Sequence, residues 1–167
     1  MRLRSLVAIA TLLLLAVVLQ TTLFSRTRMF IPDLVMLVVI VVSLTRIKPE
    51  AVLSIAFLSG LMVDLLGSSV LGLRAIVFTV VAYLAYRTRD RADIGRIVTG
   101  LWTGLLTLGG VLLLIIVGTL FGQTVLLGEG VLGRLLFVPL TNLVLALIFT
   151  PLLVRIIDRD ATAFRYT

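Results

Sequence analysis

The sequence predicts an all-α polytopic membrane protein with six transmembrane helices and both termini on the cytoplasmic side. Three observations carry that prediction. Of the 167 residues, 60% are hydrophobic and 14% charged, with a mean hydropathy of +1.25, whereas a soluble domain carries roughly 25% charged residues. A soluble fold of this size leaves too much of its surface in water to hide so much hydrocarbon, so lipid is the expected solvent. The apolar residues also fall into six runs, at 6–24, 31–45, 51–66, 70–86, 97–121 and 131–157, against the roughly 20 residues that cross about 30 Å of hydrocarbon. Finally, Lys and Arg divide unevenly between the two sides those runs define. Residues 1–167 make one integral membrane domain, with no separate soluble one expected.

The first run follows "MRLR". It is long for the apolar region of a signal peptide and no A-x-A-like site follows it, so an uncleaved first helix is expected. The second, "IPDLVMLVVIVVSLT", would rise only about 22 Å at 1.5 Å per residue and must lean on neighbours or be extended by 28–30. Pro32 suits a first helical turn, and Asp33 suits the positive end of the helix dipole. The fifth run carries "GLWTG" and "GTLFG", spacings that let helix backbones approach closely, although ordinary packing within the bundle explains them as well. The sixth contains Pro139, Asn142 and Pro151; the prolines predict kinks, and Asn142 should find a partner on another helix. No internal repeat is evident.

With the N-terminus inside, the cytoplasmic segments hold Arg2, Arg4, Arg46, Lys48, Arg87, Arg89, Arg91, Arg96, Arg155, Arg159 and Arg165. The other side holds Arg26, Arg28, Arg74 and Arg134. Eleven against four is the bias of the positive-inside rule, and Tyr83, Tyr86 and Phe164 stand beside the inner charges as interfacial aromatics do. The net charge of +7 is therefore read as topogenic rather than as a nucleic-acid patch. The connector "RTRDRADIGRI" alternates in sign and reads as solvated, with docking of anionic lipid or a cytoplasmic partner as the other option. Cys and His are absent, which removes disulfides, thiol chemistry, haem ligation, most zinc sites and any Ser-His or Cys-His nucleophile. No cofactor or metal is expected.

The segment "GLMVDLLGSSVLGLRA" from Gly60 to Ala75 is the unusual one. Spans three and four are joined by "GSS" alone, so they should form a tight helical hairpin at the outer face. Asp64 then lies about 3–5 Å from the tip, with Arg74 a few residues down the other arm. A charge at mid-membrane costs at least about 2.5–3.5 kcal/mol, less near the interface. A direct or water-bridged Asp64–Arg74 pair would lower that cost; alternatively each side chain reaches the headgroups separately. Ala56, Gly60 and Asp64 follow one helix face, with Gly67 near it. Gly72, Ala75, Thr79, Ala82 and Tyr86 make a second small or polar stripe. Such a seam is either internal or open to another protein's helix.

At these residues the chain resembles the rod shape-determining MreD family. The similarity rests on the Pro-led second span "IPDLVMLVVI", on "GLMVDLLGSSVLGL", and on "TNLVLALIFTPLL" with its Asn and later Pro. It covers the whole length in topology and about 40 residues in motif. The resemblance implies a non-enzymatic subunit of the bacterial cell-elongation machinery, in the inner membrane. Its partners would be MreC, the actin-like MreB, and the peptidoglycan transpeptidase and glycosyltransferase. It also implies a fold similar to the substrate-binding subunits of energy-coupling-factor transporters. By the same resemblance Pro32, Gly60, Asp64, Gly67 and Gly72 are motif positions that shape the fold and a partner-facing surface. Asp33 at its helix start, Arg74 near Asp64 and Asn142 in the sixth span are the further candidates, on their residue chemistry alone.

Two other functions fit less well. A small-solute uptake subunit would share the fold, but a ligand site needs convergent polar groups, and Gln20, Asp64, Thr79, Thr103, Thr107 and Asn142 are a thin set. An intramembrane aspartyl protease would need Asp33 and Asp64 as a dyad sharing a proton about 3 Å apart; Asp33 more simply serves a helix start and Asp64 has Arg74 nearby. A proton pump lacks a chain of intramembrane acids.

Overall fold

The computed structural model describes residues 3–22, 32–45, 47–67, 70–92, 95–123 and 130–157. Within them every regular element is helical: α1 (Leu3–Thr22), α2 (Leu34–Leu44), α3 (Pro49–Leu66), α4 (Leu73–Arg87), the single turn α5 (Arg89–Ala92), α6 (Arg96–Leu120) and α7 (Val131–Ile157). Three segments, Pro49–Leu66, Arg96–Leu120 and Val131–Leu153, are long and apolar enough to cross a membrane, while Leu6–Thr22 and Leu34–Leu44 are shorter apolar helices. Arg2, Arg26, Arg28, Arg46, Ser68, Ser69, Arg159, Phe164 and Arg165 lie outside the described residues, so the expectations placed on them do too.

The shortest of the main helices holds the centre. Helix α2 reads "LVMLVVIVVSL", apolar around its whole circumference, and a helix of that kind must be covered on every side. Val35 through Leu44 are all buried, with α1, α3, α4, α6 and α7 packed around them. Its 11 residues rise about 16 Å, so protein surrounds it for its full length. The helix is shorter than the apolar run of 31–45 because Asp33 ends it as N-cap, its Oδ1 accepting from Met36 N at 3.0 Å. Pro32 therefore stands one residue before the cap, buried, rather than in the first turn.

Helices α3 and α4 pack as antiparallel neighbours through small residues. Ala56, Ala75 and Ala82 are fully buried, and Gly60 lies against Ala75 so closely that a Cβ there would stand 2.5 Å from Ala75 Cα and 2.6 Å from Arg74 O. The small-residue seam is thus internal. Helix α4 begins at Leu73, after a turn at 70–72, so the connection is longer than "GSS". Gly67 closes α3 in extended geometry (φ −99°), its N–H on Val63 O.

The pair α6 and α7, with 25 and 27 residues, is the longest. Gly100 and Gly104 seat Leu147 and Leu143 of α7, the close approach expected of the first glycine motif. The second motif does something else: Gly122, at φ +78°, ends α6 with Gln123 N on Gly118 O (2.8 Å) and Gly122 N on Thr119 O (3.0 Å), the bond pair of a Schellman cap. Helix α7 runs through Pro139 and Pro151. Pro151 has no N–H to give Leu147 O, and Arg96 Nη2 at the start of α6 donates to that carbonyl instead, at 3.1 Å.

Candidate functional site

The chemistry-bearing residues meet around the N-terminal ends of α2 and α4. Each helix start leaves several backbone N–H groups without an intrahelical acceptor, and in an apolar bundle each orphan is costly. The sequence solves the problem twice, by different means.

At α4 the N-cap is Gly72, which has no side chain to offer. It takes φ +90°, a left-handed conformation that glycine adopts at little cost. The cap is supplied from the facing helix. Asp64, in the last turn of α3 and 3% exposed, accepts from Arg74 N at 2.9 Å and Ala75 N at 3.4 Å through one oxygen, Oδ2. Leu73 N goes to Val70 O at 3.2 Å, and Ile76 N begins the helical ladder on Gly72 O at 3.0 Å, so each N–H of the first turn is accounted for. A carboxylate in this position also meets the positive end of the helix dipole. Gly60, one turn earlier on α3, permits the backbone contact that brings Asp64 within reach.

At α2 the cap is local but shared. Asp33 Oδ1 takes Met36 N, and Asp33 Oδ2 takes Arg74 Nη1 at 3.3 Å. The side chains of that pair are 12% and 26% exposed. Gln20 Oε1 of α1 accepts from Val35 N at 3.3 Å. Asn142 Nδ2 of α7, fully buried, donates to Asp33 O at 3.1 Å and to Thr107 Oγ1 of α6 at 3.4 Å. Thr107 spends its own hydroxyl proton on Thr103 O at 2.8 Å, so it can only accept from Asn142. Both neighbours being acceptors, the amide NH2 must face them; Oδ1 points the other way and has no partner among the described residues.

Arg74 therefore meets Asp64 through its main chain, and its guanidinium goes to Asp33. The sequence places both aspartates and the arginine near one end of the bundle but not which side chain answers which. Two carboxyl groups, each engaged by its own helix N–H groups and one of them by a guanidinium, are arranged as helix caps, which differs from two carboxyls sharing a proton. Of the sequence-predicted residues, Asp33, Asp64, Gly72, Arg74 and Asn142 join this cluster, Gly60 supports it by packing, Pro32 leads into it, and Gly67 is exposed at the end of α3. Gln20 and Arg96 were not expected to cap anything. For Arg96 the signal was present, since Pro151 orphans Leu147 O wherever a donor can reach it.

Every described helix except the single turn α5 contributes a group: Gln20 from α1, the α2 terminus with its cap, Asp64 from α3, Arg74 from α4, Thr107 from α6 and Asn142 from α7. Among the described residues no cluster of His, Cys, Asp or Glu could hold a metal ion. Neither a curated protein nor a solved structure matches the chain. Residues 1–158, however, match the family model of the rod shape-determining protein MreD. With that match over most of its length and three helices long and apolar enough to cross a membrane, the chain is a membrane protein that belongs to the MreD family of rod shape-determining proteins.

Proposed function

We propose that this protein is a non-enzymatic assembly subunit of the bacterial cell-elongation complex. It would sit in the inner membrane as six spans with both termini cytoplasmic, in an arrangement similar to the substrate-binding subunits of energy-coupling-factor transporters. The partner we assign first is MreC, followed by the actin-like MreB and the peptidoglycan transpeptidase and glycosyltransferase. The match over residues 1–158 carries this reading. The cluster supports it: its charged and amide side chains bind helix ends of the same chain, so they serve to hold six helices in one arrangement, as a scaffold requires.

The small-residue seam is consumed between α3 and α4, so a partner's helix would have to use another surface. The experiment is complementation of cell shape in a rod-shaped bacterium depleted of its own family member, combined with co-purification of MreC. Restored rods and a retained MreC band support the proposal. Round cells despite normal insertion, or a protein that co-purifies with transporter ATPases in place of MreC, overturn it in favour of solute uptake.

A further inference from the structure

Two buried side-chain atoms lack a hydrogen-bond partner among the described residues, Asn142 Oδ1 and Thr150 Oγ1. A hydroxyl such as that of Thr150 rotates, and both donates and accepts. The amide of Asn142 has no such freedom. Its Nδ2 is held by Asp33 O at 3.1 Å and Thr107 Oγ1 at 3.4 Å, and reversing it would set an oxygen against the Asp33 carbonyl. An acceptor is thus fixed where Asn142 is 0% exposed, and leaving it bare costs about 1–3 kcal/mol. A second acceptor lies on the same face of α7. Pro139, buried and inside the helix, has no N–H for Leu135 O, and no side chain among the described residues donates to that carbonyl. Pro151 leaves Leu147 O in the same condition, and there Arg96 answers it. Leu135 and Asn142 are seven residues apart, close to two turns, so they face the same way. The Leu135 carbonyl points along the axis toward Asn142, whose side chain leans back toward the helix N-terminus. An axial rise of about 10 Å therefore narrows to about 6 Å between the two oxygens.

We propose that internal water occupies this notch of α7, donating hydrogen bonds to Asn142 Oδ1 and Leu135 O, either through one molecule or through two in line. The chemistry of the pair selects the occupant. Both groups are neutral acceptors, so the guest must donate, and water has two protons to give. Internal waters make about 2–4 hydrogen bonds, and the two acceptors supply that minimum. A hard cation such as Ca2+ takes about 6–8 oxygen ligands, more than this face offers. A larger donor is shut out by packing: a Cβ on Gly104 of α6 would stand 3.4 Å from Pro139 O and 3.1 Å from Leu143 Cβ. The water ties the proline turn of α7 to the one side chain that joins α7 to both α2 and α6.

Asn142 is the only asparagine in the chain, so protein labelled with 15N-asparagine alone reports a single side chain. Water-edited solid-state NMR of the full chain in lipid bilayers measures how soon magnetisation passes from water to its Nδ2 protons. The backbone N–H of Lys48, exposed and the only lysine, sets the pace of a solvated group in a parallel sample. Although Asn142 is buried, its side-chain signal should rise nearly as early as that of Lys48. Pro139→Ala supplies an N–H to Leu135 O, removes one of the two acceptors and should abolish the early rise with Asn142 itself unchanged. Pro151→Ala, at the other proline, should leave the early rise in place. A wild-type signal that rises only at long mixing times overturns the proposal. An early rise that survives Pro139→Ala overturns it too, by placing the water elsewhere, as does loss of the early rise in both proline variants.

Discussion

Gly60→Ala adds one methyl group at the point where α3 and α4 are closest. The new Cβ would meet Ala75 Cα at 2.5 Å, and Ala75 N and Arg74 O at 2.6 Å. All three are backbone atoms, which cannot rotate away, so the helices must part by about 1 Å to restore ordinary contact. That displacement carries the Asp64 bonds to Arg74 N and Ala75 N, now 2.9 and 3.4 Å, past the reach of a hydrogen bond. Overpacking costs about 1–3 kcal/mol and loss of hydrogen bonds to a charged acceptor about 1.5–3. The better helix propensity of Ala returns about 1 kcal/mol. The net is a loss of about 1.5–5 kcal/mol, or roughly 3–20 °C in Tm for a chain of this size. Thermal unfolding in detergent, followed by circular dichroism, reads it directly. Gly109→Ala is the control, since nothing lies within 4 Å of that position and the same propensity gain should raise Tm slightly. A Gly60→Ala protein that melts with Gly109→Ala refutes the close-approach account of this seam.

Further substitutions address the cluster and the α6–α7 pair. Asp64→Arg should damage folding, and adding Arg74→Asp should not rescue it, because the main-chain N–H groups that Asp64 caps survive any change of side chain; recovery of Tm in the double variant would show a side-chain pair instead. Asn142→Leu should cost about 1–3 kcal/mol in the same unfolding assay. Asn142→Asp should cost more, since it sets a carboxylate against two acceptors; equal stability of the two would contradict the assigned amide orientation. Arg96→Met should lose about 0.5–1.5 kcal/mol in the native background and clearly less beside Pro151→Ala, whose new N–H can take Leu147 O. An unchanged effect of Arg96→Met in both backgrounds would separate the arginine from the proline.

Much of this architecture is legible from residue pattern. Uniform hydrophobicity over 34–44 marks a helix that must be enclosed, and Gly60 and Asp64 mark a special hairpin end. Boundaries were harder to read: the apolar run of 31–45 continues through Pro32 and Asp33, and only the cap geometry shows that the helix starts at Leu34. Likewise "GSSVLG" looks apolar enough to begin a helix at Val70, while the φ of Gly72 sets the start at Leu73. The pairing of charges was out of reach for a different reason. Asp33 and Arg74 are 41 positions apart, and the choice between Asp33 and Asp64 as the guanidinium's acceptor depends on helix packing that periodicity does not encode. The capping of α4 by Asp64 is equally non-local, although a helix with glycine at its cap position and an aspartate eight residues earlier hints at it. Whether the small-residue seam faced inward or outward could not be read from spacing alone, since both solutions share one pattern.

On the proposed function the charged cluster holds a scaffold together and performs no chemistry. Asp64→Asn tests it most directly, because the amide oxygen can still accept from Arg74 N and Ala75 N while the ionisable carboxylate is gone. Expressed in a rod-shaped bacterium depleted of its own family member, Asp64→Asn protein that inserts and folds at wild-type level should restore rods. Round cells carrying normal amounts of folded Asp64→Asn protein would contradict the claim and assign the carboxylate a chemical role.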